Sequence, residues 1–168
     1  MKTSLQKSFN IDRDNSKVIV EHEFSAPLQT IWDAWTNSDI LDKWWAPKPW
    51  QARTKEMDFR EGGYWLYAMV GPDGAESWAR ADYQSVTPLR GFIGHDAFTD
   101  EQGNINTDFP QSSWNVGFTE TLNGTLVNIE IDFEQQTDLD RYLQMGFQEG
   151  FTAGLQNLDD LLSSKHSS

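Results

Sequence analysis

Few side chains in this 168-residue chain combine a reactive type with a position that could use it. His22 stands in "KVIVEHEF", where Val18, Val20, His22 and Phe24 share one side of an alternating segment and Glu21 and Glu23 share the other. An imidazole on an apolar face is either a buried group hydrogen-bonded to a neighbour, or a polar anchor or proton-transfer group facing a ligand. Tyr67, in "YWLYAMV", is the second polar group that alternation turns inward. His95 and Asp96 are adjacent, so on a strand they point to opposite faces and make a poor dyad. Glu130 and Asp132 share a face, but it is the polar side of "TLVNIEIDF", and a solvated face suits them better than acid–base work.

Other chemistries lack their residues. His22, His95 and His166 are widely spaced, with no His-x-x-x-His or His-Glu pair, so no metal site is expected. The absence of cysteine excludes thiol nucleophiles, disulfides and Cys-based zinc sites. There is no glycine-rich phosphate loop, dinucleotide motif or nucleophile elbow. No catalytic residue and no cofactor is expected.

Aromatic residues are what the chain does supply, at 13% of its length. Strand parity puts Trp65, Tyr67 and Met69 on one face, Ala79, Ala81 and Tyr83 on one face of the next strand, and Trp114, Val116 and Phe118 on one face of another. Such a set is either packed core or the wall of a cavity for an apolar molecule. Trp44 and Trp45 add a problem of their own, because neighbours on a helix point about 100° apart. They read as a wedge, with Trp44 structural and Trp45 at the rim of a pocket, held by the stiff Pro47-Lys48-Pro49 exit.

The elements that must position these groups can be read in order. "KVIVEHEF" is a half-buried strand. Leu28, Ile31, Trp32 and Trp35 fall at helical spacing, and Ile40, Leu41, Trp44 and Trp45 form a second short helix, with Ser25 and Ser38 as expected caps. Strand segments then follow one another, broken by "REGG", "GPDG", Pro88 and the hairpin signal Asn123-Gly124. From Asp138 the period becomes helical, and Leu139, Phe147, Phe151, Leu155, Leu158 and Leu162 trace one face. Gly146, Gly150 and Gly154 recur on that helix, each costing about 1 kcal/mol against Ala. They imply close packing, a wall relieved for a ligand, or a break near Gly146.

The expected fold is therefore α+β: an antiparallel sheet of about six or seven strands, two short helices after the first strand, and a long C-terminal helix across the sheet. Residues 1–16 read as an N-terminal arm, 17–165 as one domain and 166–168 as a tail.

"SAPLQTIWDAWT", "LDKWWAPKPW", "MDFREGGYW" and "GPDG" together resemble the activator-homologue family, named after the C-terminal domain of the heat-shock-protein-90 ATPase activator, within the START-like helix-grip superfamily. The resemblance spans roughly residues 17–165. It implies a curved antiparallel sheet gripping the C-terminal helix, with a cavity between. Relatives usually carry Arg where this chain has His22. Members include hydrophobic-ligand carriers, cyclases, drug-binding resistance proteins and co-chaperones.

Together these readings select His22, Trp45, Trp65, Tyr67, Met69, Tyr83, Trp114, Phe118, Phe147 and Phe151 as cavity candidates. The expected function is binding of a hydrophobic or aromatic small molecule. The alternatives are stimulation of a heat-shock-protein-90 ATPase, which adds a chaperone partner, and a cyclase- or hydrolase-like enzyme using His22 and Tyr67. A net charge of −13, from 13 basic and 26 acidic residues, repels phosphate backbones and anionic lipid, so neither nucleic acid nor membrane is an expected partner. The longest apolar run, Tyr64–Val70, is far short of the roughly 20 residues of a membrane span, and no secretory leader is visible, so the expected location is cytoplasmic. Either a monomer or a homodimer is compatible with these features, Trp50 and Trp78 being candidate interface residues.

Overall fold

The structure, a computed structural model, describes residues 5–166; residues 1–4 of the expected arm and 167–168 of the expected tail lie outside it. Its elements are β1 (Lys7–Asp12), β2 (Lys17–Phe24), α1 (Leu28–Thr36), α2 (Ser38–Trp44), β3 (Gln51–Met57), β4 (Tyr64–Val70), β5 (Glu76–Thr87), β6 (Gly91–Thr99), β7 (Ser112–Glu120), β8 (Thr125–Phe133), α3 (Gln136–Gln144) and α4 (Phe147–His166). All strands join one antiparallel sheet in the order β1-β2-β8-β7-β6-β5-β4-β3. The α+β class holds.

The sheet has eight strands rather than six or seven. The additional one is β1, inside the stretch read as a polar arm. Its sequence, "KSFNID", shows no sustained apolar period, because an edge strand is held by the ladder its neighbour offers. Ser8, Phe9, Asn10 and Ile11 pair with Glu21, Val20, Ile19 and Val18.

β2 and β3 lie near opposite edges, so the chain between them must cross the whole sheet. Helices α1 and α2 make that crossing over the inner face. Ile31, Trp32, Ala34 and Trp35 of α1 and Leu41 and Trp44 of α2 are buried there, as their spacing requires. The caps differ from expectation. Pro27 precedes α1 with no side-chain cap, and the Asn37 side chain, not Ser38, accepts from the Asp39 amide at the start of α2.

α4 covers the rest of the inner face with Phe151, Leu155, Leu158 and Leu162, against Val18, Val20, Val127, Ile129 and Ile131 from the central strands. The single long helix expected from Asp138 is two helices. Gly146 interrupts it at φ +91°, a conformation costly for any residue with a Cβ.

Candidate functional site

Trp44 and Trp45 show how this region is built. Ala34 lies in the last turn of α1, where a carbonyl has no intrahelical partner. The Trp44 indole Nε1–H donates to it at 2.9 Å, and the ring is 1% exposed. Trp44 thus satisfies a carbonyl at the C-terminal end of α1 as well as filling core. Trp45 turns the other way. Its Nε1–H donates to the Tyr67 hydroxyl at 2.9 Å, and its ring meets Trp65, Trp114 and Phe151 at centroid distances of 5.4–5.9 Å. Asn157 of α4 locks the helix end by donating to the Ala46 carbonyl at 2.8 Å.

Beyond Trp45 lies a cavity of about 280 Å³, partly open to solvent, near the lower end of the range for small-molecule sites. Its floor is the inner face of β4 to β7, through Tyr67, Met69, Ala79, Phe98 and Trp114. Its roof is the α3–α4 junction, through Tyr142, Met145, Gly146, Phe147, Gly150 and Phe151. Phe147 and Phe151, one turn apart, stack at 5.3 Å with an interplanar angle of 12°. The three glycines divide the three roles expected of them. Gly146 breaks the helix. Gly150 lies in the cavity wall, where an added Cβ would meet only Pro47 Cγ at 3.7 Å. Gly154 packs on backbone, where a Cβ would sit 2.9 Å from the Trp45 carbonyl oxygen.

Of the ten candidates, Trp45, Tyr67, Met69, Trp114, Phe147 and Phe151 come together around this cavity. The other four do not line it. Trp65 lies beneath, stacked on Tyr67 at 3.9 Å and donating to Thr54 Oγ1. Tyr83 and Phe118 share the correct face but lie towards its other end, packed with Phe92, Phe59 and Trp32. Parity fixes the face of a strand residue but not which element covers it. His22 is 7% exposed and pairs with Asp159 of α4 at 2.9 Å, and Lys7 of β1 reaches the same carboxylate at 3.1 Å. It is a buried, partnered histidine tying sheet to helix, so His22 and Tyr67 do not share a site.

Asp96 is the residue that sequence reasoning missed. Phe92 and Phe98 are in the aromatic inner layer, and Asp96 has their parity on β6, so its carboxyl faces the cavity while His95 faces out to Gln111 at 2.8 Å. That parity was the available signal in the sequence. Burial pushes the Asp96 carboxyl up to about 7, with the Asp82 charge adding to the effect. Burial likewise holds the Tyr67, Tyr83 and Tyr142 hydroxyls well above their ordinary value, and the nearby Asp96 charge contributes to each. Tyr142 also hydrogen-bonds Ser112, whose Oγ accepts from Trp114 Nε1 at 2.9 Å. Among the described residues no group of three or more His, Asp or Glu side chains is placed to hold a metal ion, and no helix is long and apolar enough to cross a membrane.

The layout of sheet, crossing helices and gripped C-terminal helix is shared with known proteins. The family described as Activator of Hsp90 ATPase homolog 1-like protein matches residues 25–163, most of the domain. The chain belongs to this family. Among solved structures, protein Ms6760 from Mycobacterium smegmatis is 31% identical, with 95% of this chain and 97% of that chain covered and a TM-score of 0.86. A protein from Arthrobacter aurescens is 25% identical, with 94% and 91% covered and a TM-score of 0.88. A protein from Silicibacter pomeroyi whose name places it in the same Hsp90-activator homologue family is 16% identical, with 89% and 99% covered and a TM-score of 0.71, a likeness of fold alone. No curated protein matches the chain. As a member of the Activator of Hsp90 ATPase homolog 1-like family, the chain has the helix-grip architecture, a ligand-binding fold in general.

Proposed function

We propose that this protein binds a hydrophobic or aromatic small molecule in the cavity between β4–β7 and the α3–α4 junction. The observation that supports the reading is convergence. Six aromatic or thioether side chains from four separate elements or their ends, Trp45, Tyr67, Met69, Trp114, Phe147 and Phe151, surround one space that remains unfilled. A protein interior normally closes to crystal-like density, so an unfilled volume of this size walled by rings is an expense in lost contacts. Gly150, inside a helix and free of close neighbours, keeps the space open at a further cost in helix propensity. Binding would rest on apolar burial and ring contacts, with Ser112 and the Tyr67 hydroxyl as orienting polar groups.

The test is calorimetric titration with a neutral aromatic of naphthol size. Wild type should bind one equivalent. Ala79→Phe, which adds a ring between Tyr67 and Phe98 on neighbouring strands, should abolish binding while leaving the fold intact by circular dichroism. Undiminished binding to Ala79→Phe would place the ligand elsewhere and remove the reading. The family description supports a second one, stimulation of a heat-shock-protein-90 ATPase. An unchanged ATPase rate on adding the protein would eliminate it.

A further inference from the structure

The cavity wall contains one charged side chain, and it is acidic. Asp96 is the only Asp, Glu, Lys or Arg among the lining residues. Among the described residues its carboxyl has no hydrogen-bonding or ion-pairing partner, in contrast to Asp82 next to it in the sheet, which Arg80 holds through three hydrogen bonds on the outer face. An unpartnered carboxylate in an apolar chamber is costly unless something in the chamber compensates for it. The surrounding groups offer no such compensation. β4 presents Tyr67, β5 presents Tyr83, α3 presents Tyr142 and β7 presents Ser112; Asp82, on the far side of the sheet, adds only like charge. All three tyrosines are held in their neutral form by burial. The Tyr67 oxygen receives the Trp45 N–H and Ser112 meets Trp114 and Tyr142; neither hydroxyl hydrogen-bonds to Asp96, and neither carries a positive charge.

Rings and a lone carboxylate are together the two means by which proteins hold an organic cation: ring faces attract positive charge through their quadrupole, and the carboxylate supplies the countercharge. We infer that the ligand of this cavity carries a positively charged nitrogen on an apolar body, with the nitrogen held at Asp96 and the body among Trp45, Trp114, Phe147 and Phe151. This rests on the binding reading above and names the ligand class for it. The chain's net charge of −13 acts in the same direction, concentrating cations near the protein's surface.

The test uses two probes of one shape. Benzyltrimethylammonium carries a charge that no pH alters, and neopentylbenzene is its neutral isostere. The ammonium ion needs Asp96 ionised, so its affinity should rise about tenfold or more from about pH 5.5 to about pH 8.5, as the carboxyl loses its proton near 7. The neutral isostere favours the protonated carboxyl, so its affinity should be flat or fall over the same range. In Asp96→Asn, which removes an unpartnered, half-buried charge and should fold at least as well, the pH slope for the ammonium should vanish. Its affinity at high pH should drop about tenfold or more, while the neutral probe still binds. Equal affinity for both probes at high pH, unchanged in Asp96→Asn, overturns this inference and leaves the cavity reading standing. Failure of wild type to bind either probe at any pH overturns both.

Discussion

Asp96 is where sequence, fold and chemistry conflict most. Its folded-state carboxyl is raised to about 7 from an ordinary value near 3.8, so folding is opposed by its ionisation. Well below pH 4 the group is protonated folded or unfolded and contributes nothing; as pH rises towards 7 the unfolded chain loses its proton first, and stability falls. Asp96→Asn should therefore match wild type near pH 3 and exceed it by on the order of 2 kcal/mol near pH 8 in urea melts. Equal stability at both pH values would mean that the carboxyl is solvated. The adjacent tryptophans give a second contrast. Trp44→Phe removes the donor to the Ala34 carbonyl and should cost about 1–3 kcal/mol in urea denaturation, with naphthol binding retained. Trp45→Phe should instead weaken naphthol binding, because that ring lines the cavity.

The C-terminal helical segment shows what can and cannot be inferred from residue spacing. Its apolar face was legible, since Leu139, Phe151, Leu155, Leu158 and Leu162 are all buried as the 3.6-residue period requires. The glycines were visible but ambiguous, because composition records a missing side chain without saying what replaces it. The structure separates them by their surroundings. Gly150→Ala should stabilise by about 0.5–1 kcal/mol, since the methyl meets only Pro47 at 3.7 Å. Gly154→Ala gains the same helix propensity but drives a Cβ onto the Trp45 carbonyl at 2.9 Å, and should lower the melting temperature. A melting temperature for Gly154→Ala at or above that of wild type would show that α2 and α4 separate easily. β1 was illegible for the opposite reason. Its tertiary contacts, Phe9 with Phe147 and Lys7 with Asp159, are to partners that lie far along the chain.

At the scale of the whole molecule, the order of elements was readable because alternating segments and turn signals punctuate the chain cleanly: β2, β4 and β8 coincide with "KVIVEHEF", "YWLYAMV" and "TLVNIEIDF". The strand order was not read, and it decides which inward residues meet a helix and which meet open space. Tyr83 and Phe118 obey the same parity as Tyr67 and Trp114, yet one pair lies under α1 and its neighbours while the other faces the cavity. Net charge acts on the whole molecule too. With −13 charges in self-repulsion, raising ionic strength from about 0.01 M to about 0.15 M shortens the screening length from about 30 Å to about 8 Å and should raise the melting temperature by a few degrees. The central claim, that the ring-lined space is a binding site, is tested most directly by following the tryptophan indole N–H resonances while titrating a neutral naphthol into wild type. Trp45 and Trp114, which line the cavity, should show the largest saturable shifts, while Trp32 and Trp78, which do not, stay in place. Saturable shifts centred on Trp32 or Trp78, or none at any of the four, would contradict it.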